Sequence, residues 1–330
     1  MGDSTSGAAT RRVRVAARRT VGVDIDEFVL IAEDGNPLPS FTAGAHIDVH
    51  PAEGIVRQYS LCGSTQDLSR YEIAVLRQPS GRGGSCAVHD ELSVGRVLSI
   101  STPRQNFPLD ESASHSILVA GGVGITPLLA MVKRLGSIGR SFELHHRARS
   151  AEHAAFMNDL RSSHFAPSVH WHLGERGDPA AEGALAELFS AFDRKAIPNT
   201  HVYVCGPEGM MTAMLDAART AGWPEALLHS EAFTASTALT SGETFEVKFE
   251  RSRKSVTVGP SETIVEAALR VGVEIETSCE QGVCGTCVTR VISGKILHRD
   301  TFLTPPEHAS GTLMTPCCSR AAGTELVLDT

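Results

Sequence analysis

Cys279-Glu280-Gln281-Gly282-Val283-Cys284-Gly285-Thr286-Cys287 is the stretch that decides how the chain is interpreted, and twenty-nine residues separate it from Cys317. The spacing C-x4-C-x2-C-x29-C is that of the four thiolate ligands of a plant-type [2Fe–2S] cluster. Each iron takes two thiolates, and Gly282 and Gly285 let the loop curl towards the sulfurs because glycine tolerates a positive φ angle. A structural zinc site is the alternative, but such sites usually combine two short C-x2–4-C pairs, and only one is present. The spacing therefore predicts a cluster bound by Cys279, Cys284, Cys287 and Cys317.

Length and composition limit the remaining possibilities. A chain of 330 residues with 42% hydrophobic residues is expected to form two or three packed domains. The net charge of −8 argues against nucleic acid as the main partner, and no apolar run is long enough for a membrane span. The basic N-terminus lacks an apolar segment after it, so no secretory signal is expected. Eight cysteines, four of them in ligand spacing, indicate a reducing compartment, and we expect the cytoplasm.

The first third of the chain alternates short strand-like segments with turns, which predicts a small antiparallel β-barrel over residues 1–110. The predicted strands are Val13–Val15, Phe28–Ile31, His46–Val49, Arg57–Cys62, Arg70–Leu76 and Arg96–Ser101.

Two stretches of this barrel suggest a phosphate site. Arg57-Gln58-Tyr59-Ser60 lies on a predicted strand, and Gly81-Arg82-Gly83-Gly84-Ser85 opens a short predicted helix over Cys86–Leu92. A helix start offers free N–H groups to an anion, and Arg57 can supply a matching bidentate charge.

From Ser116 onwards strands and helices alternate, which predicts an open parallel sheet with helices on its faces over residues 111–233. The strand Ile117–Ala120 is followed by Gly121-Gly122-Val123-Gly124-Ile125-Thr126-Pro127, where proline occupies the first turn of a helix. Cys205-Gly206-Pro207 follows a later strand, at the carboxyl edge where such sheets bind ligands. A buried, inert thiol is an equally good interpretation of Cys205.

The predicted helices of this region are Leu128–Leu135, Ala151–Arg161, Leu185–Phe192 and Met210–Ala221, and its other strands are Phe142–His146, Val169–Leu173 and Val202–Cys205.

Residues 234–242 read as a polar linker, and residues 243–330 as a third domain around the cysteine loop. A hairpin is expected over Phe245–Phe249 and Ser255–Val258, and Thr263 with Glu266 predicts a capping box at the start of a helix. Further strands are expected over Val288–Ile292 and Glu325–Leu328.

The ordered set Arg57-Gln-Tyr-Ser, Gly83-Gly-Ser, Gly121-Gly-Val-Gly-Ile-Thr-Pro, Cys205-Gly-Pro and the C-terminal cysteine loop resembles the phthalate dioxygenase reductase family. The resemblance implies a ferredoxin-reductase-like barrel that binds FMN, a nucleotide domain that binds NADH, and a β-grasp ferredoxin domain. It also implies a separate terminal oxygenase of Rieske type as the electron acceptor, and we expect a monomer.

The resemblance also implies individual roles. Arg57 would contact the FMN phosphate, Tyr59 would pack on the flavin ring, and Ser60 would donate a hydrogen bond near flavin N5. Ala74 and Val75 would flank the ring. Ser60 and Cys205 would stand beside the reacting atoms. The implied phosphate turn is Gly83, Gly84 and Ser85. The implied nucleotide contacts are Gly122, Gly124, Thr126, Pro127, Cys205, Gly206 and Pro207, with Phe233 as an aromatic near the flavin. Leu76 departs from relatives with a longer basic side chain at that position.

Arg149, with Arg147 and Ser150, falls where the adenosine ribose is expected. An Arg–Ser pair can also grip a 2′-phosphate, so the choice between NADH and NADPH stays open on these residues, although we expect NADH.

NADH gives up two electrons as a hydride whereas a [2Fe–2S] cluster accepts one, and flavin is the common cofactor that handles both. A plant-type cluster has a reduction potential of about −400 mV, and a Rieske centre one of about −150 mV or above. The equilibrium constant for one-electron transfer from the first to the second is therefore about four powers of ten in favour of transfer. The sequence shows neither a Rieske ligand pattern nor an evident two-His-one-carboxylate iron site, and its 14 histidines are scattered. We therefore expect the oxygen chemistry on another polypeptide.

Two rival functions are retained. The same electron chain would also serve a cytochrome P450 or a diiron hydroxylase, and a non-enzymatic redox sensor would use the cluster alone. Two cofactor-binding domains ahead of the cluster argue against the sensor.

Overall fold

The computed structural model describes residues 10–80, 83–175, 178, 185, 188–189, 198–233 and 242–330. The contacts divide the chain into two compact units, Met1–Glu231 and Ala232–Thr330. Most of the helix expected at Leu185–Phe192 and of the linker expected at 234–242 lies outside the described residues. The boundaries expected at residues 110, 233 and 243 remain predictions.

The first part of unit 1 is an antiparallel barrel. Its strands are β1 (Thr10–Gly22), β2 (Ile25–Ala32), β3 (Ala45–Ala52), β4 (Ile55–Ser60), β5 (Tyr71–Leu76), β6 (Val97–Ser101) and β7 (Arg104–Gln105). They pair in the order β4-β3-β6-β1-β2-β5, with β7 on β3. An antiparallel bridge between Leu61 and Ile73 joins the two ends and closes the barrel. The predicted barrel is confirmed.

Strand β1 is far longer than predicted because it pairs with both β2 and β6. Its side chains alternate, so that Val13 and Val15 are fully buried while the neighbouring arginines face outwards. Two bulges interrupt the pairing with β2, and bulges bend a strand and increase its twist. This bend lets one strand serve both neighbours.

The helix α1 (Gly84–Glu91) follows Gly83, whose φ of 76° lies in the left-handed region that favours glycine. It begins two residues before the predicted Cys86. Gly81 and Arg82 lie outside the described residues.

The second part of unit 1 is a five-stranded sheet with every pair parallel. Its strands are β8 (His115–Gly121), β9 (Ser141–Ala148), β10 (Val169–Leu173), β11 (Thr200–Cys205) and β12 (Leu228–Glu231), in the order β10-β9-β8-β11-β12. Within residues 83–175 and 198–233 its α-helices are α2 (Ile125–Ser137), α3 (Met157–Ser162) and α4 (Glu208–Thr220). The connections after β8 and β11 run to opposite sides, so these strands meet at the switch point where such sheets bind ligands.

One helix prediction in this sheet is wrong at its start. Residues 151–156 form turns, and α3 begins only at Met157, after Phe156 with a φ of 62°. The reason is pairing with the barrel, since the Val23 amide donates to Glu152 and the Phe156 amide donates to Val21. These bonds use backbone groups that a helix would need. Strand β12 is not among the strands predicted from the sequence.

Unit 2 combines a mixed sheet with two short helices. Its strands are β13 (Phe245–Phe249), β14 (Lys254–Val258), β15 (Thr289–Ser293), β16 (Ile296–Leu297), β17 (Leu313–Met314), β18 (Arg320–Ala321) and β19 (Glu325–Leu328), and its helices are α5 (Ile264–Arg270) and α6 (Pro305–Ser310). The main order is β14-β13-β19-β15-β17, with β13 and β19 parallel. Helix α5 packs its buried Ile264, Ala267 and Ala268 into the core of this sheet. The predicted α+β domain is confirmed, and so is the capping box, because the Thr263 hydroxyl accepts from the Glu266 amide at 3.1 Å.

No helix within the described residues has the length and apolar character needed to cross a membrane.

Candidate functional site

Arg57 and the start of α1 form the candidate phosphate site. The Arg57 side chain lies directly over Gly84. A Cβ atom added to Gly84 would lie only 2.7 Å from the Cδ atom of Arg57. The guanidinium also donates to the Val56 carbonyl at 2.7 Å, which fixes its direction. The Ser85 hydroxyl accepts from the Gln78 amide at 3.0 Å and keeps its own proton for another acceptor. Arg57, Gly84 and Ser85 are therefore brought together as a phosphate group requires, and the helix start adds amide donors.

The residues expected around the flavin ring lie on neighbouring strands but present different groups. Tyr59 packs on the barrel core, where burial raises the pKa of its hydroxyl. Val75 belongs to that core, so only its backbone can face a bound ring, and its carbonyl oxygen already lies 2.9 Å from His89 Nε2. Ala74 points to the opposite side of β5 because adjacent strand residues alternate. Their contact with flavin remains a prediction.

Ser60, Cys205 and Glu231 meet where the barrel adjoins the parallel sheet. The Ser60 hydroxyl donates to the Glu231 carboxyl at 3.4 Å, and Glu231 is the register partner of Cys205. Burial raises the pKa of Glu231 to about 8, with the Ser60 hydrogen bond opposing the shift. Burial, with Glu231 nearby, also raises the pKa of the Cys205 thiol. Around pH 7 this corner therefore presents a thiol, a hydroxyl and a largely protonated carboxyl.

Glu231 is a residue that sequence reasoning missed. It closes β12, a strand of four residues that is too short and too polar to be recognised by alternation. The sequence signal that points to Glu231 is its position two residues before Phe233, the aromatic residue expected near the flavin. Phe233 falls in unit 2, and its position near a flavin remains a prediction.

The glycine turn after β8 packs directly on the turn after β11. A Cβ at Gly124 would overlap the Cys205 carbonyl oxygen and lie 2.8 Å from the Gly206 Cα. A Cβ at Gly121 would lie 2.7 Å from the Pro207 ring. The structure thus brings the predicted glycine turn and the Cys205-Gly206-Pro207 segment into contact, with the first turn of α2 beside them.

Two side chains hold this turn in shape. The Thr126 hydroxyl donates to the Val123 carbonyl at 3.1 Å, and Thr126 and Pro127 are both buried in the first turn of α2. His146 is fully buried, and its Nε2 atom lies 3.1 Å from the Gly122 carbonyl oxygen. Burial lowers the pKa of His146 to about 4, so the neutral ring donates this bond. His146 is a second residue missed from the sequence, because the turn it supports belongs to another strand.

The residues expected near the adenosine ribose are largely engaged. The Arg147 guanidinium donates to the carbonyls of Ala148 and Glu175 at 2.6 and 2.7 Å. The Ser150 hydroxyl donates to the Glu152 carboxylate at 2.6 Å. Arg149 is exposed at the end of β9. The Glu152 carboxylate thus lies beside the segment where the adenosine ribose is expected.

The four predicted ligand thiols are buried and approach each other in two pairs. Cys279 lies within hydrogen-bonding reach of Cys284, and Cys317 within reach of Cys287. The amide of Gln281 donates to the Cys279 sulfur at 3.3 Å. Two thiol pairs with an amide directed at a sulfur fit the two irons of a [2Fe–2S] cluster.

The segment 300–304 braces the cysteine loop. The Thr301 amide donates to the Gly282 carbonyl at 3.0 Å, and a Cβ at Gly285 would overlap the Phe302 ring. Both glycines have positive φ angles, 72° and 73°, as the loop prediction required. The buried Asp300 accepts from the Leu303 amide at 2.8 Å and from the Ser319 hydroxyl at 3.3 Å, which links this segment to the turn that carries Cys317.

Cys317 and Cys318 lie in a tight turn, because the amides of Cys318 and Ser319 both donate to the Thr315 carbonyl. In such a turn adjacent side chains are not forced to opposite sides, as they are on an extended strand. Cys318 Sγ lies 3.1 Å from the Thr315 hydroxyl and Cys317 approaches Cys287, while the two thiols also lie within reach of each other. Cys317 as the fourth ligand remains a prediction.

Comparisons with known proteins agree with this arrangement. Residues 247–322 match the 2Fe-2S iron-sulfur cluster binding domain family, and residues 118–216 match the oxidoreductase NAD-binding domain family. Vanillate O-demethylase oxidoreductase from Pseudomonas sp. (strain HR199 / DSM 7063) is 42% identical over 96% of this chain and 99% of its own.

Two solved structures extend the likeness to the whole fold. Phthalate dioxygenase reductase, described as a modular structure for electron transfer from pyridine nucleotides to [2Fe-2S], is 38% identical with a TM-score of 0.80 over 98% of both chains. An intact type IV self-sufficient cytochrome P450 monooxygenase is 36% identical with a TM-score of 0.76, over 97% of this chain and 41% of its own.

Replacing Arg57 by alanine is expected to weaken flavin binding, because a phosphate loses a charged partner worth about 1.5–3 kcal/mol. The purified Arg57→Ala protein should lose flavin absorbance on dilution and regain it when flavin is added, with the absorption of the cluster unchanged. Arg12→Ala, which removes an exposed arginine from β1, is the control and should retain its flavin. Equal retention by both variants would place the phosphate elsewhere.

Replacing Gly124 by alanine is expected to push the two turns of the sheet apart, because its Cβ has no room beside the Cys205 carbonyl. We expect kcat/KM for NADH to fall by about a hundredfold, the typical effect of displacing reacting groups by about 1 Å. Gly209→Ala is the matched control, since nothing lies within 4 Å of a Cβ at that glycine in α4. Normal NADH kinetics in Gly124→Ala would show that nucleotide binding does not depend on this contact.

Proposed function

Because the chain belongs to the family of vanillate O-demethylase oxidoreductases and phthalate dioxygenase reductases, it is the NADH-dependent reductase component of an oxygenase system, and we propose that its partner is a separate Rieske-type oxygenase. The observation that carries this function is the presence, in one chain, of a nucleotide-binding turn and two buried thiol pairs. The nucleotide-binding turn accepts NADH, and the cluster held by the thiol pairs lets electrons leave one at a time.

FMN and a [2Fe–2S] cluster, when bound, supply the change from a hydride donor to single-electron transfer. The protein binds and orients these groups. We propose that Arg57 and the turn Gly83–Ser85 hold the FMN phosphate, and that Cys279, Cys284, Cys287 and Cys317 hold the cluster. Gly122, Gly124, Thr126, Pro127 and Arg149 are proposed to position NADH.

The corner formed by Ser60, Cys205 and Glu231 is proposed to face the reacting atoms. Gly206 and Pro207, which follow the fully buried Cys205, are proposed to offer a compact, uncharged wall against which a nicotinamide can lie. The Ser60 hydroxyl offers a hydrogen bond near flavin N5, and its partner Glu231 carries a proton at pH 7 because its pKa is about 8. A largely uncharged corner keeps the environment of the transferred hydride free of a fixed negative charge.

The names of the relatives support an oxygenase as the partner, since they include a vanillate O-demethylase oxidoreductase and a carnitine monooxygenase reductase subunit. The Rieske type rests on the family resemblance, and the absence of a Rieske ligand pattern in this sequence supports only that the oxygen chemistry lies on another polypeptide. A cytochrome P450 is the second candidate, because the matching P450 carries a segment like this chain within its own polypeptide.

The test is reconstitution. The purified reductase, NADH and a Rieske oxygenase acting on an aromatic acid should give substrate-dependent product, and a P450 in its place should give little. Rapid NADH oxidation with a dye acceptor is the control that shows the reductase is active. Turnover supported only by the P450 would overturn the Rieske assignment.

We further propose that the protein works as a monomer in the cytoplasm. None of the eight cysteines, all of which the structure describes, forms a disulfide, which is compatible with a reducing compartment.

Nucleotide preference is expected to favour NADH over NADPH by at least about tenfold in kcat/KM, because the Glu152 carboxylate holds Ser150 and repels a 2′-phosphate. Glu152→Gln should narrow the difference by improving NADPH alone. Glu53→Gln, which changes an exposed glutamate of the barrel, is the control. A preference for NADPH in the unmodified protein would mean that Arg149 and its neighbours grip the phosphate.

The two adjacent thiols are expected to respond differently to substitution. Cys317→Ser should leave a flavoprotein without a stable cluster that still oxidises NADH with a two-electron dye but does not reduce the oxygenase. Cys318→Ser should keep both the visible absorption of the cluster and electron transfer. Reversed phenotypes would assign the fourth ligand to Cys318.

A further inference from the structure

Histidines that are scattered in the sequence gather on one face of the parallel sheet. Glu143 and His145 are alternate residues of β9, and His170 of β10 is the register partner of His145. Alternate residues of a strand share a face, so the three side chains point the same way. Their potential ligand atoms all lie within 4.8 Å of one another. The sequence has no evident two-His-one-carboxylate iron site, but the register of β9 and β10 brings two histidines and a carboxylate of distant segments together.

We propose that Glu143, His145 and His170 form a zinc site that clamps β10 to β9. Two imidazoles and a carboxylate are a frequent zinc ligand set, and three protein ligands leave a fourth position for water. The distance of 3.2 Å between His145 Nε2 and Glu143 Oε2 matches the separation of about 3.3 Å between ligand atoms around a tetrahedral ion with bonds of about 2.0 Å.

A second layer of histidines supports these ligands. The Nδ1 atom of His145 lies 3.0 Å from His172 Nε2, and His115 Nε2 lies 3.8 Å from Glu143 Oε1. Metal-bound histidines usually donate their other ring N–H to such a partner, so a His145 ring protonated at Nδ1 would present its Nε2 atom to the metal.

The position of the site indicates its role. Strand β10 is the edge of the sheet, and a metal bound to His145 and His170 would join it to β9 in addition to the backbone ladder. His145 precedes Arg149 by four residues, about 13 Å along a strand, so the site is separate from the nucleotide edge. We expect a gain in stability and no direct part in hydride transfer.

The experiment is a calorimetric titration of the cluster-containing protein with Zn²⁺ in a buffer that does not bind metals. The protein is first freed of loosely bound zinc with a mild chelator, under conditions that leave the visible absorption of the cluster unchanged. We expect one strong site in the unmodified protein and affinity weaker by at least about tenfold in Glu143→Gln and in His170→Ala. His170 is exposed and glutamine is nearly isosteric with glutamate, so both variants should fold. Zn²⁺ should also raise the Tm of the unmodified protein and not that of His170→Ala.

The control comes from the second group of this kind, His298, Asp300 and His308 in unit 2. His308→Ala should leave the strong Zn²⁺ site unchanged, while the visible absorption of the cluster shows that its thiols stay occupied. No binding up to about 100 µM free Zn²⁺, or equal binding by Glu143→Gln, His170→Ala and the unmodified protein, would overturn the proposal. Loss of the site in His308→Ala alone would assign the metal to unit 2 and would overturn it as well.

Discussion

The approach of the turn after β8 to the turn after β11 is the contact on which the nucleotide half of the molecule depends. Gly124 lies against the Cys205 carbonyl with no room for a Cβ, and this is possible only because β8 and β11 are adjacent and parallel. Parallel pairing places both carboxyl ends at one edge, and the fully buried strands hold that edge rigid. The glycine turn and the Cys205-Gly206-Pro207 segment are therefore held against each other at that edge.

The cysteine loop solves a different physical problem, since it must point several thiols inwards without regular secondary structure. Its shape is imposed from outside, by the Thr301 amide bonded to Gly282 and by Phe302 packed on Gly285. Asp300 joins this brace to the turn that bears Cys317. Loop and turn are thus linked through one buried carboxylate, Asp300, which lies 18 residues after Gly282 and 19 residues before Ser319 in the chain. That short separation makes the brace largely local and allows the domain to carry its cluster as one unit.

Much of this architecture could be predicted from the sequence, because alternation, glycine turns and cysteine spacing are local signals. The barrel strands, the parallel sheet and the capping box at Thr263 all follow from such patterns. Contacts between distant segments could not be predicted. His146 under Gly122, Glu231 beside Ser60, and His170 opposite His145 depend on strand order and register, which no short pattern encodes. The false start of α3 has the same origin, since its first residues are held by β1 of the barrel.

The central claim is that this single chain takes two electrons from NADH and releases them one at a time through its own cluster. The most direct measurement is anaerobic addition of NADH to the purified protein without any partner, followed by electron paramagnetic resonance and by mass determination of the released flavin. The account predicts one FMN and one [2Fe–2S] cluster per chain, and the signal of a reduced [2Fe–2S] cluster after NADH alone. A protein that holds both cofactors but whose cluster stays oxidised under NADH would contradict it, as would zinc in place of iron at the four thiols.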